Sequence, residues 1–253
     1  MDKITRKSLI YKTGVEYGDY TLNHVLGCSH GCKYPCYAML LKKRFGEIHS
    51  YEDWLHPRLV ENYKEILTKE LPKFKNKIDT LHLCFTTDPF MYGNKEICDA
   101  SIDILNMIAS NGIKASVLTK GVYPDEVSSL PKNFSFGITL ISLNEEFRKQ
   151  IEPGAAPYIE RIESLKKLKA EGFKTWVSIE PYPTPNIIEQ DLHEILESVN
   201  FVDKIIFGRL NYNKLVTQYK EHRTFFNQLS KFVIEYCDEH NIQYHIKEGT
   251  ITE

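Results

Sequence analysis

The chain lacks the features that would direct it into or across a membrane. No apolar run approaches the roughly 20 residues that a membrane-spanning helix needs. The first residues, MDKITRKSLIYKTG, have no continuous apolar core of the kind that marks a signal peptide. Internal repeats, low-complexity tracts and long Gly/Ser linkers are absent as well. We therefore expect a cytoplasmic globular protein.

An excess of charge of either sign is also missing. Lysine and arginine number 32, aspartate and glutamate 34, and the net charge is −2. This balance indicates neither the basic field of many nucleic-acid-binding proteins nor the acidic bias of disordered chains. Hydrophobic residues make up 42% of 253 residues, which is typical of a globular chain long enough to bury a sizeable core.

Cysteine is scarce, with six in the chain, but three of them are clustered. In NHVLGCSHGCKYPCYA, residues 23–38, Cys28, Cys32 and Cys36 follow one another at intervals of four. In a reducing cytoplasm, clustered thiols indicate a metal or catalytic site rather than disulfides. The same interval could place them in a stripe on one helix face, but two glycines and Pro35 in the segment favour a loop.

Three thiolates are compatible with more than one metal site. A structural zinc site uses four protein ligands, and His30 as the fourth would strain the loop; a catalytic zinc site uses three. A [4Fe–4S] cluster on three cysteines leaves one iron open to a substrate or cofactor. Spacing alone favours iron–sulfur, with zinc as the alternative and coincidence left open. The scattered Cys84, Cys98 and Cys237 lie beside apolar residues and are predicted to pack in the core.

Seven short apolar segments alternate with helical patterns. Strands joined by helices predict parallel pairing, so we predict an α/β fold, a partial (β/α)6-type barrel with outer helices and an extra C-terminal strand. A doubly wound open sheet is the alternative. The predicted strands are 21–26, 80–86, 114–119, 134–140, 174–180, 204–208 and 242–247. Apolar stripes predict helices at 59–67, with Pro57 ahead of the first turn, at 97–108, 159–168, 192–199 and 225–236, and less clearly near 144–150.

These patterns predict a single domain over residues 1–253. Residues 1–20 would form an N-terminal extension, 21–208 the barrel core, and 209–253 a C-terminal helix and strand. In either architecture, ligands bind at the carboxyl ends of the strands. The three clustered cysteines follow the first predicted strand, on that side.

The cysteine segment resembles the radical S-adenosylmethionine (SAM) superfamily, in particular its spore photoproduct lyase-like, or "DNA repair photolyase", branch. That family carries C-x3-C-x2-C after the first barrel strand; here Pro35 is an extra residue and gives C-x3-C-x3-C. Similar motifs follow in the same order at the ends of later strands. They are CFTTDPF (84–90), VLTKG (117–121), IEPGAAPYIER (151–161) and VSIEPYPTPN (177–186).

The resemblance implies a cofactor pair and a set of residues. SAM would bind the open iron of a [4Fe–4S] cluster held by Cys28, Cys32 and Cys36. Reductive cleavage of SAM would give a 5′-deoxyadenosyl radical that abstracts hydrogen from an unknown substrate, with flavodoxin or ferredoxin as electron donor. The implied SAM contacts are Tyr34 or Tyr37 beside adenine, Lys120 on the carboxylate, Thr87 and Asp88 on the ammonium, and Thr139.

Other polar residues near the strand ends carry weaker expectations. Glu152 and Arg161 are interpreted as a structural ion pair, as an acid and a base at a helix start, or as site residues. Arg209, Asn211 and Tyr212 are expected at the opening. The substrate class is open between nucleic acid and a partner protein. The alternative from another class is a non-enzymatic zinc or iron–sulfur module with a structural or sensing role.

Overall fold

The computed structural model describes residues 1–14 and 18–252, and a parallel β-sheet lies at its centre. Residues 15–17 of the predicted N-terminal extension and residue 253 lie outside the described residues. The strands in this part of the chain are β1 Lys3–Ile4, β2 Ile10–Lys12, β3 Tyr20–Leu22, β4 Val25–Leu26, β5 Arg58–Val60, β6 Thr80–Leu83, β7 Lys114–Thr119, β8 Ser135–Thr139, β9 Lys174–Tyr182, β10 Lys204–Arg209 and β11 Gln243–Ile246. The helices are α1 Tyr37–Arg44, α2 Tyr51–Leu55, α3 Tyr63–Phe74, α4 Lys95–Ser110, α5 Glu145–Ile151, α6 Tyr158–Ala170, α7 Leu192–Ser198, α8 Lys214–Gln218 and α9 His222–His240.

The large sheet has the order β11-β10-β9-β8-β7-β6-β3-β2. Its strands from β3 to β11 pair in parallel, and β2 is antiparallel to β3. Within the described residues β2 and β11 are the two ends of this sheet and do not close it. The predicted α/β fold with parallel strands is confirmed, including the extra C-terminal strand, which pairs with β10.

Apolar side chains on the strands and on the covering helices form the core. Val117 of β7 and Ile138 of β8 are fully buried, as is Ile104 of α4. Helix α4 packs on β7, α6 on β8 and β9, and α9 on β10 and β11. Burying one such side chain contributes roughly 1.5–3 kcal/mol, which explains why runs that are apolar on both faces became central strands. The described helices include none long and apolar enough to cross a membrane.

The first predicted strand, 21–26, is in fact two strands in different sheets. The carbonyl of Leu22 accepts from the backbone N–H of Cys84 at 2.7 Å, which ties β3 to the large sheet. The carbonyl of His24 accepts from the N–H of Val60 at 2.9 Å, which ties the following residues to β5. Strands β1, β5 and β4 form this small second sheet. The apolar run was continuous in sequence, but its two halves have different hydrogen-bond partners.

The helix predicted from the stripe at 59–67 begins later than expected. Leu59 and Val60 lie in β5, where Leu59 is opposite Lys3 on one side and Val25 on the other. Helix α3 starts only at Tyr63. Pairing with two strands distant in sequence prevails here over the helical period, because it satisfies the backbone groups of β5 on both edges. The short helix near 144–150 is confirmed as α5.

Candidate active site

The loop that contains the three clustered cysteines, residues 27–36, connects β4 to α1 and is called the cysteine loop. Gly27 and Gly31 have φ of 93° and 59°, a left-handed backbone that glycine adopts at little cost. The N–H of Cys28 donates to the carbonyl of Trp54 at 2.8 Å. Gly154 lies against the loop so closely that a Cβ there would be 2.2 Å from the carbonyl oxygen of Ser29. The loop is therefore held between α2 and the segment that follows α5.

The three cysteines of this loop differ in exposure, but burial affects the thiol of each. Cys32 is buried, whereas Cys28 and Cys36 are partly exposed. Burial raises the pKa of all three thiols, that of Cys32 to about 12. Loading a metal centre here would therefore release protons. Residues 1–14 and 18–252 contain no group of three or more His, Cys, Asp or Glu that could hold a metal ion, so the ligand set stays a prediction.

A cavity of about 500 Å³ opens beside this loop, at the carboxyl ends of the parallel strands. Its wall comes from the loop on one side and from the ends of β6 to β11 on the other. Seven of the nine predicted site residues line it; Cys28 and Cys32 do not. The lining residues that the sequence predicted are Tyr34, Cys36, Tyr37, Thr87, Asp88, Lys120 and Thr139.

A buried carboxylate, Glu152, connects the cysteine loop to two strand ends. Its Oε1 accepts from Lys120 Nζ at 2.5 Å and from the Tyr34 hydroxyl at 3.0 Å. Its Oε2 accepts from the Arg161 guanidinium at 2.8 Å. Arg161 also donates to the carbonyl of Thr139 at 2.8 Å. The ion pair between Glu152 and Arg161, one of the interpretations of these residues from the sequence, is present. Lys120 is a second cation on the same carboxylate.

Glu152, Lys120, Arg161 and Tyr34 are called the Glu152 group below. Its electrostatics depend on the balance of two cations and one anion. Burial alone would raise the pKa of Glu152, but Lys120 and Arg161 outweigh it and lower the pKa to about 2. Burial also disfavours the charge on Lys120, yet the Glu152 carboxylate raises the pKa of that lysine. One positive charge therefore remains uncompensated within the group, next to the cysteine loop. The Lys120 charge lowers the pKa of Cys32, against the larger effect of burial.

Asp88 is occupied by hydrogen bonds within the protein. Its Oδ1 accepts from the N–H of Phe90 at 2.9 Å and from the hydroxyl of Thr119 at 2.6 Å. Its Oδ2 accepts from the N–H of Lys120 at 2.8 Å, and His30 Nδ1 lies 3.4 Å away. A carboxylate has about four acceptor sites, and these three hydrogen bonds use most of them. Asp88 thus connects the ends of two strands to the cysteine loop.

The two candidate adenine neighbours occupy different environments. Tyr34 is buried, with its hydroxyl on Glu152 and Lys120 beside its ring at 5.1 Å. Tyr37 is 48% exposed and packs against Phe85 with ring centroids 5.6 Å apart. Tyr37 has the accessible ring, whereas the hydroxyl of Tyr34 belongs to the Glu152 group.

His30 and Thr87 hold the loop in place. His30 Nε2 accepts from the N–H of Tyr92 at 2.9 Å, and burial lowers the pKa of the imidazole. The hydroxyl of Thr87 donates to the carbonyl of Gly27 at 2.6 Å. Both residues connect the cysteine loop to the segment after β6.

Several residues of the cavity wall were not predicted from the sequence. Ser178, Glu180 and Lys247 line it, and Lys247 Nζ lies 3.5 Å from Glu180 Oε2. The signal that could have found them is position, since Glu180 is near the end of β9 and Lys247 directly follows β11. Arg209, Asn211 and Tyr212, which were expected at the opening, also line the cavity.

Cys84 combines core burial with a place at the cavity. It is 4% exposed, as predicted for a core thiol, but it lines the cavity and has a φ of 65°. Its sulfur lies 3.2 Å from His24 Nδ1, and His24 Nε2 lies 3.0 Å from the hydroxyl of Ser101. Cys237 is a buried residue of the hydrophobic core, and Cys98 is partly buried and packs against that core, as expected.

Comparison with protein families decides the classification. Residues 22–199, more than half of the chain, match the family model of the radical SAM superfamily. The chain belongs to the radical SAM superfamily. Members bind a [4Fe–4S] cluster and SAM, so the predictions of a radical SAM enzyme and of these cofactors are confirmed at the family level. The alternative of a non-enzymatic metal module is not favoured.

Curated relatives are more distant. The chain is 28% identical over 196 residues to uncharacterized protein ORF301 of Acidianus two-tailed virus, covering 74% of this chain and 64% of that protein. It is 28% identical over 213 residues to uncharacterized protein MJ0683 of Methanocaldococcus jannaschii, covering 83% of this chain and 77% of that protein. The chain thus spans a little under two thirds of the viral relative.

Solved structures share the fold. Spore photoproduct lyase complexed with dinucleoside spore photoproduct superposes with a TM-score of 0.68 at 14% identity, over 96% of this chain and 80% of that chain. A variant of that lyase with bound AdoMet gives 0.69 over the same shares. SuiB of Streptococcus suis bound to S-adenosylmethionine gives 0.54 at 12% identity, over 76% of this chain and 45% of that chain.

Proposed function

We propose that this chain reductively cleaves SAM at a [4Fe–4S] cluster held by Cys28, Cys32 and Cys36, and acts on a substrate bound in the adjoining cavity. The observation that supports this most directly is the shared cavity wall, which brings Cys36 together with the predicted SAM contacts. When bound, the cluster and SAM would supply a 5′-deoxyadenosyl radical that abstracts hydrogen from the substrate. The protein would hold, orient and shield the reactants.

The Glu152 group supports this assignment through its charge. A [4Fe–4S] cluster on three thiolates is an electron acceptor held by anionic ligands, and a net positive neighbour stabilises such ligands. Lys120 at the end of β7 would meet the SAM carboxylate through a charge-assisted bond. Glu152 would act as a positioning residue, because it fixes the ammonium of Lys120 beside Tyr34.

For the remaining contacts we propose distinct roles. Tyr37 would take the place beside the adenine, since its ring is accessible. Thr87 and Thr139 would offer hydroxyl groups from the cavity wall. Asp88 would contribute to SAM binding indirectly. Its carboxylate accepts a hydrogen bond from the backbone N–H of Lys120 and so helps to position that lysine.

The substrate and the electron donor belong to the proposal as well. A dinucleoside is bound in the spore photoproduct lyase structure, which makes nucleic acid the first substrate class to test and a partner protein the second. Flavodoxin or ferredoxin would supply the electron. A reducing compartment such as the cytoplasm would keep the thiols available for cluster assembly.

The deciding experiment is anaerobic reduction of the cluster-loaded protein with dithionite in the presence of SAM. We expect 5′-deoxyadenosine and methionine to form, and none to form without reductant. Protein that carries four irons but produces no 5′-deoxyadenosine would contradict the proposal.

The role of Lys120 is tested by Lys120→Ala. A charge-assisted hydrogen bond contributes about 1.5–3 kcal/mol, so SAM affinity should fall roughly tenfold to a hundredfold while iron content is kept. Lys114→Ala, at the amino end of the same strand and away from the cavity, is the matched control. Equal SAM affinity of the Lys120 variant and the control would rule out this contact.

A further inference from the structure

The end of the cavity away from the cysteine loop contains an arginine without a counter-ion. Arg209 ends β10 and lines the cavity. Its Nε donates to the side-chain oxygen of Asn211 at 3.0 Å. Within residues 1–14 and 18–252, its two terminal nitrogens have no hydrogen bond or ion pair. The guanidinium is thus oriented through one nitrogen, and its outer edge is available.

The acidic neighbours of Arg209 do not neutralise it. Glu180 lies on the same cavity wall, but its carboxylate is 3.5 Å from Lys247 Nζ. Gly208 permits this approach, since a Cβ there would lie 2.8 Å from the Lys247 side chain and 3.0 Å from that of Glu180. Glu248 also lines the cavity and is exposed, and it forms no ion pair with Arg209 within the described part of the chain.

Arg209 is only partly buried, so water solvates its charge in the free protein, and an anionic ligand in the cavity would replace that water with charge-assisted hydrogen bonds. The planar guanidinium presents paired N–H groups that match the two oxygens of a carboxylate or phosphate. Gly249 lies beside this edge and has no side chain of its own; an added Cβ there would lie 3.8 Å from an Arg209 terminal nitrogen. Tyr212, 76% exposed on the same wall, offers an aromatic face beside it.

Arg209 and Lys120, the cation proposed to bind SAM, lie at the ends of different strands. Lys120 follows β7 and Arg209 ends β10, three strands further along the sheet. At about 4.8 Å per strand, this is roughly 14 Å along the sheet. The two cations thus lie at strand ends separated by β8 and β9, so SAM beside Lys120 and a second molecule at Arg209 would contact different strands.

We propose that Arg209, oriented by Asn211, binds an oxyanion of the substrate, a carboxylate or a phosphate, and so determines which substrates enter. This rests on the proposed function only in calling that molecule the substrate. The step is binding alone, and it requires neither reductant nor SAM cleavage.

The test is calorimetric titration of cluster-loaded, unreduced protein with two probes, inorganic phosphate and malonate. We expect saturable binding of at least one probe, weakened tenfold to a hundredfold in Arg209→Gln. Arg209→Lys should recover part of the affinity, because it keeps the charge but loses the paired N–H groups. Arg223→Gln, which removes the same charge from an exposed position on α9, is the matched control and should bind as the original protein does.

The two probes distinguish the two sources of the oxyanion. A preference for phosphate would indicate a phosphorylated or nucleotide substrate, and a preference for malonate a carboxylate. The proposal would be overturned if the original protein bound neither probe, or if Arg209→Gln bound them as the control does. A parallel loss of SAM affinity in Arg209→Gln would assign the arginine to the cofactor and overturn it as well. Failure of SAM cleavage in the original protein would instead count against the proposed function alone.

Discussion

Glu152 is the single residue on which most of the site geometry depends. It is fully buried, and it joins Lys120 after β7, Arg161 in α6 and Tyr34 of the cysteine loop. A buried charge is tolerated only when it is paired and hydrogen-bonded. Removing this one carboxylate would leave the buried Arg161 and the partly buried Lys120 without the anion between them.

Glu152→Gln is therefore expected to be strongly destabilising. Breaking a buried ion pair by removing one partner costs about 3–5 kcal/mol, which should appear as a lower free energy of unfolding in urea at pH 7. Glu146→Gln, in an exposed pair with Lys149 in the neighbouring helix, is the control and should leave stability unchanged. Equal stability of the two variants would show that Lys120 and Arg161 do not need this anion.

The same comparison has a pH dependence with a defined sign. The pKa of Glu152 is lowered from 4.5 to about 2, so the ionised carboxylate stabilises the folded state fully above the unfolded-state value. That contribution is lost as pH falls through the folded-state value. The stability difference between the original protein and Glu152→Gln should shrink between about pH 4.5 and pH 2. A difference that stayed constant over this range would contradict the assignment.

Single cysteines provide the second test at this scale. Cys28→Ala, Cys32→Ala and Cys36→Ala should each abolish the cluster, since three thiolates are the minimum set. Cys98→Ala and Cys237→Ala should keep full iron content and lose only stability, through the small cavities they leave. Iron and sulfide analysis after anaerobic reconstitution is the measurement. A scattered cysteine as necessary for iron as the clustered three would disprove the ligand set.

At the level of elements, the cysteine loop depends on its neighbours for its shape. The N–H of Lys33 donates to the carbonyl of Ile151 at 2.8 Å, and the N–H of Gly154 donates to the carbonyl of His30 at 3.0 Å. Helix α1 begins directly after Cys36, which is its N-cap residue. Pro35 lines the cavity between these fixed points. The additional residue thus lies between a docked half of the loop and the helix start.

Deletion of Pro35 tests whether this additional residue is absorbed locally. Proline biases the residues before it toward an extended path, which suits a local bulge between Cys32 and Cys36. The deletion restores the C-x3-C-x2-C spacing. We expect the variant to assemble a cluster and to form 5′-deoxyadenosine, at an altered rate. Complete loss of iron would mean that the loop follows a path of its own, and that the roles given to Tyr34 and Tyr37 must be withdrawn.

At the scale of the whole molecule, the cavity is where distant parts of the chain meet. Its lining runs from Gly14 near the amino terminus to Glu248 near the carboxyl terminus, and it includes the ends of β6 to β11. A ligand in this position contacts most of the sheet at once. Binding there should therefore stabilise the entire fold rather than one loop.

SAM should raise the melting temperature of the cluster-loaded protein. At a concentration of 100 times Kd, a ligand that binds only the folded state adds about 2.7 kcal/mol. For a chain of this size, this corresponds to roughly 5–10 °C. Scanning calorimetry with and without SAM measures it, with Lys120→Ala at the same SAM concentration as the control, where a smaller shift is expected. An identical shift in both proteins would contradict the proposed contact between SAM and Lys120 in this cavity.

Local features of the fold could be predicted from residues close together in the chain. Apolar runs with β-branched residues predicted the strands, and β7 matches its predicted bounds of 114–119, because strands buried on both faces need such runs. The clustered thiols with two glycines and a proline predicted a loop, since these residues oppose a continuous helix. Each of these inferences uses interactions between residues close in sequence.

Contacts between residues far apart in the chain could not be predicted in this way and became visible in the folded molecule. Tyr34 and Glu152 are hydrogen-bonded across 118 positions of sequence, a contact that no local pattern in the sequence predicts. The division of 21–26 between two sheets, and the place of Cys84 at the cavity beside His24, have the same origin. In each case a long-range hydrogen bond or ion pair selects the arrangement, and its partner cannot be identified from spacing along the chain.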